Sequence, residues 1–151
     1  MTGVASTGKI GIGVLLQVSD GNPSPTWATV ANVTTLSGGG ATLDMVDSTH
    51  LNSPDFYAEM TPGLKHSTAW TGTVQWDPSD PTLGPVSGLA KFLEDRSIQT
   101  FRINPSQLGI MTTLECDAYC SELGNIDVSP TGLMTQAFTL TPTGAIRRVD
   151  L

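Results

Sequence analysis

Alternation of apolar and polar residues at every second position constrains this chain more than any other feature. Over residues 67–76, Trp70, Gly72, Val74 and Trp76 fall on one side and Thr71, Thr73 and Gln75 on the other, the pattern of a strand with one buried face. Ile10, Ile12, Val14, Leu16 and Val18 repeat it, and Leu114, Cys116, Ala118 and Cys120 oppose Thr113, Glu115, Asp117 and Ser121. Further strands are predicted over residues 27–36, 41–46, 98–103, 133–141 and 145–149, the last two separated by a turn at Pro142-Thr143-Gly144. Asp20-Gly21-Asn22-Pro23, Gly38-Gly39-Gly40 and Asp77-Pro78-Ser79-Asp80-Pro81 supply the breaks. One helix is expected where Leu83, Val86, Ala90 and Leu93 recur at three- and four-residue steps, with Thr82 or Ser87 as its cap.

These patterns predict a mainly β chain, an antiparallel β-sandwich or barrel with one flanking α-helix, and residues 1–151 form a single domain. Residues 47–65 lack a strong period, so a long inter-strand loop is expected there, and loops of that length tend to be functional. The terminal strands near Ile10 and Val149 carry few charges to guard their edges, which invites strand addition between copies.

Composition narrows the function by exclusion. Seven Lys and Arg against fourteen Asp and Glu leave a net charge of −7, which repels a polyanion rather than gripping it. No stretch reaches the roughly twenty apolar residues of a membrane-spanning helix, and no secretory leader pattern opens the sequence. Cys116 and Cys120, four apart on a strand, lie about 13 Å from each other, beyond disulfide reach, and read as buried free thiols. His50 and His66 lack the spacing of a zinc site, Asp77 and Asp80 lack the further ligands of a calcium loop, and Gly38-Gly39-Gly40 lacks what a phosphate cradle needs. No cofactor or metal is expected. Two further readings stay open at this point: a sugar-binding or adhesive β-sandwich module on a virion, using Trp27 or Tyr57, and a small hydrolase using Asp77, Asp80 or His66.

The order of motifs carries a resemblance. Leu43-Asp44-Met45-Val46-Asp47-Ser48-Thr49, then Pro62-Gly63-Leu64-Lys65, an alternating strand to Trp76-Asp77-Pro78-Ser79-Asp80, a helix, Phe101-Arg102-Ile103 and a final segment over residues 138–146 together resemble the major tail tube proteins of long, flexible-tailed bacteriophages. The resemblance implies a structural, non-enzymatic virion protein. It would polymerise with itself as stacked hexameric rings whose inner sheets join into a barrel, and the tube would be a conduit for genome ejection. Other tail proteins (tape measure, terminator, tail tip) would be its partners, and double-stranded DNA would pass without specific binding. Its location would be the virion tail, after synthesis in the host cytoplasm.

In that family the long loop reaches the neighbouring ring. Its counterpart here spans residues 44–65, with Asp44, Asp47, Ser48, His50, Asn52, Asp55, Tyr57, Glu59, Gly63, Leu64 and Lys65 as contact residues. Glu115, Asp117 and Glu122 are the acids expected to face the channel.

Overall fold

The computed structural model describes residues 3, 5, 6 and 8–151. The strands are β1 (Leu15–Ser19), β2 (Trp27–Thr29), β3 (Val33–Ser37), β4 (Ala41–Asp47), β5 (Met60–Ser67), β6 (Trp70–Gln75), β7 (Ile98–Asn104), β8 (Thr112–Asp127) and β9 (Thr135–Asp150), with α1 (Leu89–Asp95) between β6 and β7. All pairings are antiparallel. Seven strands form one sheet in the order β2-β1-β7-β8-β9-β6-β3, and β4 pairs with β5 alone.

That order has a geometric consequence. β2 and β3 lie at opposite edges of the sheet yet are joined by residues 30–32 alone. The four residue steps from Thr29 to Val33 span at most about 14 Å, whereas seven flat strands at about 4.8 Å spacing would hold the edges about 29 Å apart. The sheet must therefore fold over on itself. Asn32, at φ 60°, makes the corner. Val30 donates its N–H to the Leu16 carbonyl at 2.8 Å, and the Asn32 carbonyl accepts from Gln75 N at 2.9 Å.

The fold falls along the two 16-residue strands. β7 pairs only with residues 114–119 of β8, and β6 only with residues 135–140 of β9. One layer is thus β2-β1-β7 with the first half of β8 and the last half of β9. The other is the second half of β8, the first half of β9, β6 and β3. Register shifts near Glu115, Cys120 and Leu123 in β8 supply the bulges that bend a strand from one layer to the next. Between the layers lies one core, with Leu16, Val18 and Phe101 from the first and Trp70, Val74, Phe138 and Leu140 from the second. α1 closes one side, with Leu89 buried and Phe92 meeting Phe101 edge-to-face at 6.2 Å.

The sandwich with one helix is as the alternation predicts, though the sheet does not close into a barrel. Several boundaries differ. The first strand begins at Leu15, because Gly13 adopts φ 92° and, among the described residues, none is paired in a strand ladder with residues 10–14. The segment 27–36 is two strands split at the Asn32 corner. The helix starts at Leu89, not near Leu83: Pro81 and Pro85 remove helical donors, and residues 76–88 run as turns. Its N-cap is Gly88, where a Cβ would fall 2.5 Å from Leu83 N, so neither Thr82 nor Ser87 caps it. Pro142-Thr143-Gly144 is no turn: Pro142 and Thr143 pair with Ala118 and Asp117 within one continuous strand, the register shift follows at residues 144–146, and β6 stops at the level of Leu140, so the missing proline donor faces no β6 partner.

Candidate functional site

The largest departure from the sequence reading is the expected long loop. Residues 60–67 are a strand, so the segment is a β-hairpin, β4 and β5, with residues 48–59 as its tip. Its period is weak because neither face is buried: every residue of β4, and all of β5 except Ser67, is exposed. Seven to eight residues per strand make an arm about 23–26 Å long. An isolated two-stranded hairpin is marginal in water, and this one also exposes Leu43, Met45, Val46, Met60 and Leu64 along its length and Leu51, Phe56 and Tyr57 at the tip. Apolar surface of that extent marks a contact site.

The tip is held by its own polar groups, which turns the apolar side chains outward. Asp47 Oδ1 accepts from Thr49 N at 2.9 Å, and these bonds to Thr49 hold its carboxyl below the usual range. Ser53 Oγ accepts from His50 N at 2.9 Å and donates to Glu59 Oε2 at 2.6 Å, while His50 Nε2 lies 3.3 Å from that same oxygen. Ser48 N donates to the Glu59 carbonyl at 2.9 Å. Asn52 N donates to His50 Nδ1 at 3.2 Å, and Asp55 turns the chain at φ 54°. Lower on the arm, Asp44 Oδ2 and His66 Nε2 are 2.8 Å apart, and Gly63 lies against Asp44 so closely that a Cβ would come within 3.3 Å of its Cβ. Lys65 pairs in register with Leu43. The residues expected to form the contact loop are all brought together on this one arm.

The three acids share one strand, β8, but its bend divides them between the two layers. Glu115 and Asp117 lie in the five-stranded layer, where Arg147 Nη2 donates to Asp117 Oδ1 at 3.1 Å and Thr100 Oγ1 donates to it at 2.8 Å. Those bonds, Arg147 first, hold the Asp117 carboxyl below its ordinary value. Glu115 pairs in register with Arg102 on one side and Arg147 on the other. Arg102 in turn donates from Nε to Gln17 Oε1 at 2.6 Å and stacks over Trp27 at 4.2 Å, so that tryptophan already has a partner.

Glu122 stands in the four-stranded layer, brought by the bulge at Cys120 to the face opposite the core. Its companions there were missed by sequence reasoning. Register places Thr35 and Ser37 of β3, Thr71, Thr73 and Gln75 of β6, Thr135, Ala137 and Thr139 of β9, and Glu122 and Asp127 of β8 on that one face. No Lys, Arg or His occurs in the strand segments that form it. The signal was present as the polar half of each alternation, but only pairing assembles it into one surface. Both outer edges of this layer, of β3 and of residues 120–127 of β8, lack a strand partner among the described residues.

The remaining candidates are accounted for locally. Asp77 Oδ1 accepts from Ser79 N and Oγ, and Asp80 Oδ1 from Thr82 N and Oγ1, so both carboxylates hold turns. Cys116 and Cys120 are buried free thiols, pushed up to about 12 and about 11 by burial. Among the described residues, no group of three or more His, Cys, Asp or Glu is placed to hold a metal ion, and no helix is long and apolar enough to cross a membrane.

The sequence matches the family described as lambda phage tail tube protein over residues 17–147, most of the chain. The chain belongs to the lambda phage tail tube protein family. Its role is structural, as a tail tube component of a virion. No curated protein matches the sequence. Among solved structures, a chain from the virion of a native gene transfer agent particle is 14% identical and superposes with a TM-score of 0.71, covering 94% of this chain and 99% of that one. A chain from the tube-terminating cap of the anti-feeding prophage is 12% identical, with a TM-score of 0.69 and coverage of 99% and 97%. One from the sheath–tube complex of an extracellular contractile injection system is 14% identical, with a TM-score of 0.64 and coverage of 98% and 100%. At these identities the tail tube protein shares their fold.

Proposed function

We propose that six copies of this chain close into a ring and that rings stack into a tube through which the genome leaves the virion. Support comes from the four-stranded layer. Its strands alternate in direction, so the free edge of β8 in one copy runs antiparallel to the free edge of β3 in the next, and rotation about a common axis repeats the contact without a leftover edge. Sixfold symmetry is that of the gene transfer agent tail, whose chain shares this fold. Six copies of four strands give a wall of twenty-four strands. At about 4.8 Å per strand the wall is about 37 Å across between backbones before any tilt, wide enough to pass a DNA duplex.

The face away from the core then lines the channel, with threonines and the acids Glu122 and Asp127. Carboxylates repel phosphates within the screening length of about 8–10 Å, and no cation is there to hold DNA. Glu115 and Asp117, paired with arginines in the other layer, belong to the outside. The arm crosses to the next ring, covering its apolar tip. Tape measure, terminator and tail-tip proteins are the further partners, and the tube carries out no reaction.

Sizing and negative-stain microscopy of the purified protein test this reading. Annuli with sixfold symmetry or hollow filaments are expected, and a single subunit at every concentration, unable to join preformed tail intermediates, would refute it.

A further inference from the structure

One sequence feature is left unused by the ring. Ile10, Ile12 and Val14 continue the alternation of Leu16 and Val18, yet Ile10 and Ile12 are 78% and 80% exposed and Val14 turns back to donate to the Gly11 carbonyl at 3.4 Å. This segment precedes the stretch matched by the tail tube family, which begins at residue 17. It faces a groove of about 920 Å³, with residues 10–14 on one wall and residues 33–38 on the other. Consecutive residues of both parities line the second wall, so the groove runs along the unpaired edge of β3, not over a face of the sheet.

An unpaired edge is satisfied by another strand, and the chain carries its own candidate. Residues 120–127 of β8 have the matching free edge and direction. Ile126 pairs in register with Gln136, which places it on the same face as Phe138, the core side, and it remains exposed there, with Val128 exposed just beyond the strand. The incoming edge therefore brings apolar side chains to the core side, the side of Ile103, which packs against the core and lines the groove together with residues 10–14.

We infer that residues 10–14 are a clamp between neighbouring copies: the β8 edge of one copy enters the groove beside β3 of the next, and Ile10 and Ile12 fold over Ile126 and Val128. The clamp rests on the ring reading and names what holds the ring shut. Before assembly the turn at residues 11–14 keeps the segment off the β3 edge, and the two glycines let it straighten when the neighbour arrives.

The test pairs two variants in the full chain. Ile12→Cys with Ile126→Cys, assembled and treated with a mild oxidant, is expected to give a ladder of covalently linked subunits on a non-reducing gel, while either single variant gives none; Cys116 and Cys120 are buried and stay silent. Ile10→Ser with Ile12→Ser is expected to leave the melting temperature of the unassembled subunit unchanged and to raise the concentration needed for assembly about tenfold or more. Tubes that form at the wild-type concentration in the serine variant, with no ladder from the cysteine pair, would overturn the clamp while leaving the ring intact. A wild-type chain that forms no ring would overturn both.

Discussion

Gly72, in β6 between β3 and β9, leaves no room for a side chain. A Cβ there would lie 2.5 Å from the Thr35 carbonyl oxygen and 2.6 Å from Phe138 Cζ, both fixed by the sheet and the core. Gly72→Ala is expected to cost about 1–3 kcal/mol, read as a lower urea midpoint at unchanged slope; an unchanged midpoint would show that β3 is free to give way. Asp117 makes a prediction with a sign. Its carboxyl is held below the ordinary value by Arg147 and Thr100 in the folded chain, so the stability it contributes is present above the unfolded value near 4 and is lost as pH falls through the folded one. Wild type and Asp117→Asn should therefore differ in melting at neutral pH by no more than about 1 kcal/mol, because the pair is partly exposed, and converge in acid. A gap that widens below pH about 4 would contradict the assignment.

The arm is where sequence and structure part most clearly, and the reason is physical. Alternation is visible when one face of a strand meets a core, as in β6 with Trp70 and Val74 buried and Thr71 exposed. β4 was legible as a strand over residues 41–46, but β5 meets no core, so Met60, Leu64 and His66 carry no legible period and the returning half of the hairpin reads as loop. The residues proposed as its contacts were nonetheless singled out in the sequence, because the motifs flanking it resemble the tail tube family. The split of β8 and β9 between two layers was not, since a bulge leaves no mark in composition, and so Glu115 and Asp117 were grouped with Glu122. Replacing residues 48–59 by a two-residue turn is expected to leave the melting transition of the seven-stranded sheet in place and abolish stacking. Asp47→Lys, which removes the acceptor for Thr49 N, should weaken stacking with little effect on melting. Filaments of wild-type length from the shortened variant would remove the arm from the interface between rings.

At the scale of the whole molecule, the proposed tube would work through what its channel lacks. Seven cations serve the chain, and none lies in the strand segments of the proposed lining, residues 33–37, 70–75, 120–127 and 135–140. Asp127→Lys places one there in every copy. Tubes of that variant are expected to retain DNA at low salt and release it as salt rises, as phosphate contacts do, whereas wild-type tubes retain none at any salt; equal retention by both would argue that this face points outward.

The most direct measurement is a reconstruction of the assembled tube fine enough to trace its strands. The account predicts a closed wall in which β8, β9, β6 and β3 repeat around the axis, β3 of each copy bonded to β8 of the next, with Thr71, Thr139 and Asp127 toward the lumen. A wall built instead from the layer of Arg102 and Arg147, or a lumen with no continuous sheet, would contradict it.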